Sequence, residues 1–426
     1  MAHTGGHGPT YDKRRNSVLT TGISCNGTWG ESKVNPSTFA HWLHEALDDS
    51  DGTERRHIIH FNNPHDYAVI ARQVGQHRRS LPRLHQVQPL HSIRAITCSL
   101  RSADQLAGAP FIQSIEADTR IQMHTGGKSA SLLPFGESKS GKRAPSRILI
   151  PWGIKHIRAP QAWNKSKGDR IRIGVIDTGV DYNHPDLRYC LSRGINILNR
   201  QMLPLDDNGH GTHIAGTIAA YTRQKGVMGV APQAVIHPVK AFDHQGGAYV
   251  SDIISGIDWC VLNNVNIINM SFGMKTYSKA LEAAVLSAYR AGIVVVASSG
   301  NEGKQAEVDY PARLKQVIAV GATTRKGYIA PFSNVGKQID IYAPGEKIYS
   351  TWLRGKYNEL SGTSMATSHV SGVIALMLAQ KPGIKPLRVK NLLRKHARLL
   401  LKPGKNIGGI REIHALRVVT ALSSVK

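Results

Sequence analysis

Three short stretches of this 426-residue chain carry side chains that could do chemistry together. The first, GVIDTGVDYNHPDL, puts Asp177 at the end of an apolar run, where a carboxylate can orient a base, bind a metal or cap a turn. Aspartic-protease chemistry needs two such carboxylates sharing a proton, and the chain holds a single DTG. The second, DDNGHGTHIAGT, places His210 after a Gly-rich turn and His213 three residues on. Zinc ligation of the HExxH type needs histidines four positions apart with a glutamate between them, and neither feature is present. Gly209, Gly211 and Gly216 suggest instead that His210 is held at a helix start, pressed against another backbone, a placement that suits a general base. His213 reads as a satisfied buried side chain. In the third, NELSGTSMATSHVSGVIALML, Ser364 sits where a Ser/Gly/Thr turn enters a long apolar helix, and an N-cap alone would explain a serine there. An acid, a histidine and a helix-start serine in that order, each among glycines and small residues, point beyond capping to nucleophilic catalysis.

These residues need elements to position them. From residue 148 onward, apolar runs with strand character (RIRIGVID, AVIHPVKAF, VNIINMSF, GIVVVASS, QVIAVGA, QIDIYAPG) alternate with helical patterns (HGTHIAGTIAAYT, VSDIISGIDWCVLN, SKALEAAVLSAYRAG, TSMATSHVSGVIALMLAQK). That alternation predicts an α/β domain over 148–426, a parallel sheet with helices on both faces and a site at the carboxyl ends of its strands. Residues 54–124 (RHIIHF, DYAVIARQVGQ, HSIRAITCSL, SADQLAGA, IQSIEADTRIQMH) predict a small α+β unit. Residues 125–147 have the Gly, Ser, Lys and Pro content of a linker, and 1–53 read as a poorly ordered leader with one helical patch at 39–47.

Composition narrows the classes. With 41% hydrophobic and 19% charged residues, the chain is neither disordered, collagen-like nor coiled coil. Its four cysteines form no CxxC pair, so they suggest neither a disulfide framework nor a zinc knuckle. No apolar stretch approaches the roughly 18 residues of a membrane span. Lys13, Arg14 and Arg15 are followed by no apolar signal core, so a cytoplasmic location is expected, with secretion by a route not visible in the sequence as the alternative. The net charge of +25 is spread mostly through residues 148–426 and accompanies no nucleic-acid-binding motif. Its densest run, from Lys385 to Arg398, is expected to be a solvated helix face.

Residues 148–420 resemble the subtilisin-like serine peptidases, with IDTGVDYNHPDL, NGHGTHIAGT and LSGTSMATSHVSG matching the Asp, His and Ser motifs and PWGIKHIRAP resembling the start of a mature enzyme. The resemblance implies a serine endopeptidase acting through an acyl-enzyme on Ser364, with His210 as base and acid and Asp177 orienting the imidazole. It implies an oxyanion hole from Asn301, in VVVASSGNEG, and the Ser364 N–H. Gly246, Gly247 and Ala248, and Ser271, Phe272 and Gly273, match the two substrate-pairing edges. Ser368 departs from the family's usual proline, a change expected to soften the helix slightly. The small unit over 54–124 resembles the family's ferredoxin-like propeptide, which implies a self-processing zymogen, inhibited by its own pro-region and cut near His124. Protein and peptide substrates, a monomer, no required cofactor and no nucleic-acid partner are expected. The rival is a catalytically silent fold whose basic surface binds nucleic acid or acidic polymers.

Two finer expectations follow from the same resemblance. Asp309, just before Tyr310 and Pro311, falls at the base of the primary specificity pocket, where a carboxylate should favour Lys or Arg before the scissile bond, with Glu302 adding to the potential at the rim. The family's usual calcium loop, AAYTRQKGVMGV here, keeps the HPDL aspartate, Asp186, but has Arg223 at the asparagine position. That site is expected to be empty, with Arg223 paired to Asp186 in place of the ion, although calcium at another site stays possible.

Overall fold

A nine-stranded sheet forms the centre of the larger unit, and its inner strands are apolar along their whole length because both faces are covered. The computed structural model describes residues 35–48, 56–106, 108–123, 141–400 and 410–423. From one edge the strands run Arg398–Leu399, Arg411–Glu412, Ile341–Pro344, Ile318–Thr323, Val294–Ser298, Ile267–Met270, Arg172–Asp177, Val235–Lys240 and Ile195–Asn196. All neighbours pair in parallel except the edge pair Arg398–Leu399 and Arg411–Glu412, which is antiparallel. The six strands expected from the apolar runs are its centre.

Strand alternation sends adjacent residues to opposite layers. Val175 packs with helices His210–Ala219 and Thr363–Gln380 through Ile214, Val370 and Ile374. Its neighbour Ile176 faces the other way, onto helices Val250–Leu262 and Lys279–Arg290 through Ile253, Ile257 and Leu281. Helix Thr363–Gln380 is buried along most of its length, which is why it is apolar all round rather than striped. Its Ser368 hydroxyl donates back to the Met365 carbonyl (2.7 Å).

The small unit is a four-stranded antiparallel sheet in the order Gln88–Leu90, Ala95–Ser99, Arg56–Phe61, Ile112–Ala117. Two helices, Phe39–Ala46 and Pro64–His77, lie against it. Ile59 joins Phe39, Leu43, Ile70 and Phe111 in the unit's own core, while the adjacent Ile58, with Leu90 and Ile93, packs into the same cluster as Ile253 and Ile257 of the large unit. The leader boundary at residue 53 is therefore corrected. Phe39, Leu43 and Leu47 are fully buried, so the helical patch belongs to the small unit's core and not to a leader outside it. Residues 1–34, and the linker from 125 to 140, lie outside the described residues.

The basic run is also only partly a solvated face. Helix Pro386–Lys395 exposes Arg388 and Arg394, but the Lys390 ammonium donates to the Val317 carbonyl (2.8 Å) and pairs with Asp340 (2.8 Å), and Arg398 pairs with the buried Glu412. Among the described residues no helix is long and apolar enough to cross a membrane. Cys98, Cys190 and Cys260 are free and buried, and burial pushes the Cys98 and Cys190 thiols up to about 12.

Phe39→Ala should empty a fully buried aromatic site and cost the small unit about 3–5 kcal/mol, as large-to-small changes of a buried phenylalanine do. Hydrogen exchange of the amides in Arg56–Phe61 in the full-length protein reads this directly, and unchanged protection would mean that the helix is not part of that core.

Candidate active site

Asp177 ends its strand with no solvent exposure, and its carboxylate accepts the Thr178 N–H (2.8 Å) and the His210 Nδ1–H, which lies 2.9 and 3.0 Å from its two oxygens. His210 opens helix His210–Ala219 behind Gly209, whose φ of 108° is the left-handed conformation that glycine tolerates best. A Cβ on Gly211 would sit 2.1 Å from the Gly179 carbonyl oxygen, so a larger residue would push the imidazole off the carboxylate. Asp206 organises the turn. It accepts N–H groups from Asn208, Gly209 and Thr212 (2.8–2.9 Å) and the hydroxyls of Thr178 and Thr212. Burial alone would depress the His210 pKa, but the charge and hydrogen bond of Asp177, helped by Asp206, outweigh it and leave the value raised. His213 is buried and neutral, its Nε2–H on the Ile348 carbonyl (2.9 Å), with burial holding its pKa at about 3.

Ser364 lies in the first turn of helix Thr363–Gln380, where backbone N–H groups have no intrahelical acceptor. Its hydroxyl donates to the Ser271 carbonyl (2.8 Å), and the His210 Nε2 is buried without a hydrogen-bond partner. Asn301 presents a second buried, partnerless atom, Nδ2. Its Oδ1 accepts both the N–H (2.9 Å) and the hydroxyl (2.8 Å) of Thr363, which fixes the amide with its NH2 outward. A Cβ built on Gly362 would lie 3.2 Å from that Nδ2 and 3.8 Å from the Ser364 nitrogen, so the two donors flank one small space.

Of the two expected substrate edges, one touches Ser364 through the Ser271 carbonyl and the other lies under the small unit. Gly247–Tyr249 is already paired antiparallel with Arg120–Gln122 of the small unit, and the Met123 N–H continues the ladder onto the Gly246 carbonyl (2.9 Å). Ala248 is buried opposite Ile121. Ser271 and Gly273 follow strand Ile267–Met270, while the Phe272 ring turns into the core against Phe242, 4.9 Å between centroids.

Residues 168–412 match the profile of the Subtilase family. The chain belongs to this family. It is 42% identical over 269 residues to the thermostable alkaline protease of Halalkalibacterium halodurans, covering 63% of this chain and 73% of that protein. It is 41% identical over 252 residues to subtilisin DY of Bacillus licheniformis (58% and 91%) and 42% identical over 256 residues to subtilisin E of Bacillus subtilis (59% and 67%). This subtilase is a serine endopeptidase, and the silent-fold rival is not favoured.

One finer expectation is corrected by the subtilase's side chains, and another gains a partner. Arg223 does not pair with Asp186: it is exposed and donates to the Tyr221 hydroxyl oxygen. The Asp186 carboxylate instead accepts the Val227 N–H (2.8 Å) and the Tyr357 hydroxyl (2.8 Å), with its other oxygen buried and unpartnered against Gly226. A flexible exposed guanidinium gains little from reaching into that pocket. At the same loop one Asp186 oxygen lacks a hydrogen-bond partner and the asparagine position holds an arginine, which cannot ligate a cation. Asp309 is buried rather than in solvent, but its carboxylate carries the Lys275 ammonium at 2.6 Å.

Sequence reasoning missed Lys275, Asp206 and Tyr357. It also missed Glu116 and Asp118, which accept from Ser278 (2.7 Å) and Ser251 (2.6 Å) at two helix starts of the large unit. Asp206, inside the DDNGHGTH motif and followed by a Gly turn, is the one a local reading could have found.

A proton on the His210 Nε2 would block it from accepting another. Since the folded value is raised, kcat/KM should be complete at alkaline pH and fall as pH drops through a value above the ordinary histidine range of about 6.5. Asp177→Asn should lower the rate and move that limb to lower pH. A limb at or below the ordinary value in the unmodified enzyme would contradict the ordering of these forces.

Proposed function

We propose that Ser364 is the nucleophile, His210 the general base and then acid, Asp177 the group that orients and stabilises the imidazolium, and the Asn301 amide with the Ser364 N–H the oxyanion donors. The observation that carries the reading is the pair of buried, partnerless atoms, His210 Nε2 and Asn301 Nδ2, the second of them sharing the space at Gly362 with the Ser364 nitrogen. Leaving such groups unsatisfied is costly unless a reacting molecule completes them. In the resting enzyme the Ser364 hydroxyl is parked on the Ser271 carbonyl. A substrate N–H that takes that carbonyl frees the hydroxyl to turn to Nε2. The Oγ–C bond then forms as the proton passes to His210, and negative charge settles on the oxygen between Asn301 and the helix start. Collapse breaks the C–N bond, with the proton delivered to the leaving amine. Water repeats the sequence and releases the acid. In subtilisin, the established case, loss of the side-chain oxyanion donor costs about a hundred- to a thousandfold in turnover, a magnitude we adopt for Asn301.

The substrate is an extended peptide laid between Gly246, Gly247 and Ala248 on one side and Ser271 and Gly273 on the other, held mainly by backbone bonds. The small unit, from the helix at Phe39 to about His124, is the enzyme's own inhibitor and partner, and residues 125–147 are a linker trimmed after the first cut. Support comes from the strand Arg120–Gln122, which occupies Gly247–Tyr249 as a substrate would, with the Arg120 guanidinium on Asp243. Catalysis requires no cofactor, and the loop after helix His210–Ala219 works without calcium, a reading supported by its poor donor set.

Expressed as the full chain, the protein should label with a fluorophosphonate and yield an N-terminus close to residue 125. Ser364→Ala should do neither and should lose about a millionfold in turnover, the size found in subtilisin. Labelling that survives Ser364→Ala would remove the serine from its role, and an active enzyme that stays uncut would remove the zymogen. A chelator should leave the rate of thermal inactivation of the mature enzyme nearly unchanged; marked acceleration would mean an occupied metal site.

A further inference from the structure

The acid expected to select basic side chains already holds one. Asp309 has a side chain 1% exposed, and its Oδ1 accepts the Lys275 ammonium at 2.6 Å, while Lys275 itself stays 57% exposed. The same Nζ lies 2.8 Å from the Glu302 carboxylate, whose oxygen also takes the Asn334 amide at 2.7 Å. Lys275 therefore spans both acids from the solvent side. Its place is set by backbone, not by the charges: the Met274 N–H donates to the Tyr310 carbonyl (2.8 Å) and the Tyr310 N–H to the Met274 carbonyl (2.9 Å), which locks Lys275 beside Asp309. On the other side, a Cβ on Gly300 would lie 2.7 Å from the second Asp309 oxygen, so the carboxylate sits directly under the turn that carries Asn301.

A carboxylate this deeply buried needs a positive or hydrogen-bonding partner whatever the substrate. Partial burial works against the charge on Lys275, but its hydrogen bonds to Asp309 and Glu302 outweigh that and keep the ammonium protonated. An apolar side chain entering the pocket leaves this arrangement intact. A basic one must exchange with it, one cation for another, while the long and half-exposed Lys275 swings into water where rehydration is easy. The attraction expected of Asp309 is thus largely spent within the enzyme.

We propose that Lys275 is a specificity-determining residue: an internal counter-ion that occupies the acid pair Asp309 and Glu302, which a substrate Lys or Arg before the scissile bond must displace, so that the pocket admits apolar and basic side chains alike. This rests on the reading of Asp309 as the base of the primary pocket. The Lys275 ammonium is engaged with Asp309 and Glu302, and it acts on choice of substrate rather than on the chemical step.

The test compares kcat/KM for peptides that differ only in Arg, Lys or Phe before the cut, using enzyme matured from the full chain and rates normalised to fluorophosphonate-titrated sites. Lys275→Met keeps the stem and removes the charge. It should raise the Arg-to-Phe ratio about tenfold or more, since the acid pair's charge is then no longer offset by Lys275 when the substrate's cation arrives. Asp309→Asn should lower the ratio, and in that background Lys275→Met should have little further effect. Lys275→Gln, which retains a hydrogen-bond donor for Asp309, gives the same reading should the methionine variant fail to fold. An unchanged ratio in Lys275→Met with a lowered one in Asp309→Asn overturns the counter-ion and leaves the pocket assignment standing. No change in either variant overturns the pocket assignment itself. Equal losses for Arg and Phe peptides in Lys275→Met mark a structural lysine and also overturn the proposal.

Discussion

A carboxylate with no access to water governs the catalytic half of this protein. Asp177 sits at the end of a central strand with its charge compensated by one imidazole N–H and one backbone N–H. Such a charge is stable only if its partners cannot move away. The turn at Asp206, the left-handed Gly209 and the contact of Gly211 with the Gly179 backbone hold the imidazole in place. The raised His210 pKa follows from that rigidity, because the imidazolium is favoured by a charge it cannot escape. Helix Thr363–Gln380 carries Ser364 in its first turn, a nearly fully buried rod packed on the middle of the sheet.

The same economy of buried charge joins the two units. Asp118 accepts both the N–H (2.9 Å) and the hydroxyl (2.6 Å) of Ser251 at the start of helix Val250–Leu262, with Arg56 paired to it. Glu116 accepts the Ser278 hydroxyl ahead of helix Lys279–Arg290. Two carboxylates at and just beyond the end of strand Ile112–Ala117 thus meet two helix N-termini of the large unit, where backbone N–H groups lack partners and the helix dipole favours negative charge. Between them the outer face of the small sheet buries Ile58, Leu90 and Ile93 against the same helices. The strand Arg120–Gln122 is led from this platform onto Gly247–Tyr249, with which it pairs antiparallel.

The large positive charge has no single purpose. Part of it is structural: Lys390 holds Asp340, Arg398 holds Glu412, and Lys240 donates to the Thr178 carbonyl (2.7 Å) just behind Asp177. Lys275 belongs to this group by geometry, yet its side chain is more than half exposed rather than in the core.

The alternation of apolar runs and helical patterns was enough to establish a parallel α/β unit, because each element's period reflects the faces it buries. Asp177, His210, Ser364 and Asn301 were legible for a related reason: each is embedded in its own glycine and small-residue turn, and that local chemistry is written in consecutive positions. The helix at Phe39 was legible but misassigned to the leader, because a period does not say what its apolar face meets, and only its packing with Ile59 and Phe111 shows where it goes. The charge pairings were out of reach. Lys275 with Asp309, Ser251 with Asp118 and Tyr357 with Asp186 join positions 34, 133 and 171 residues apart, and Arg223, close in sequence to the Asp186 loop, lies in solvent instead. Whether two charged side chains meet depends on where packing leaves their backbones, to within an ångström or two. That is decided by the tertiary structure, since the cost of desolvating a charge depends on its surroundings and not on its neighbours in the chain.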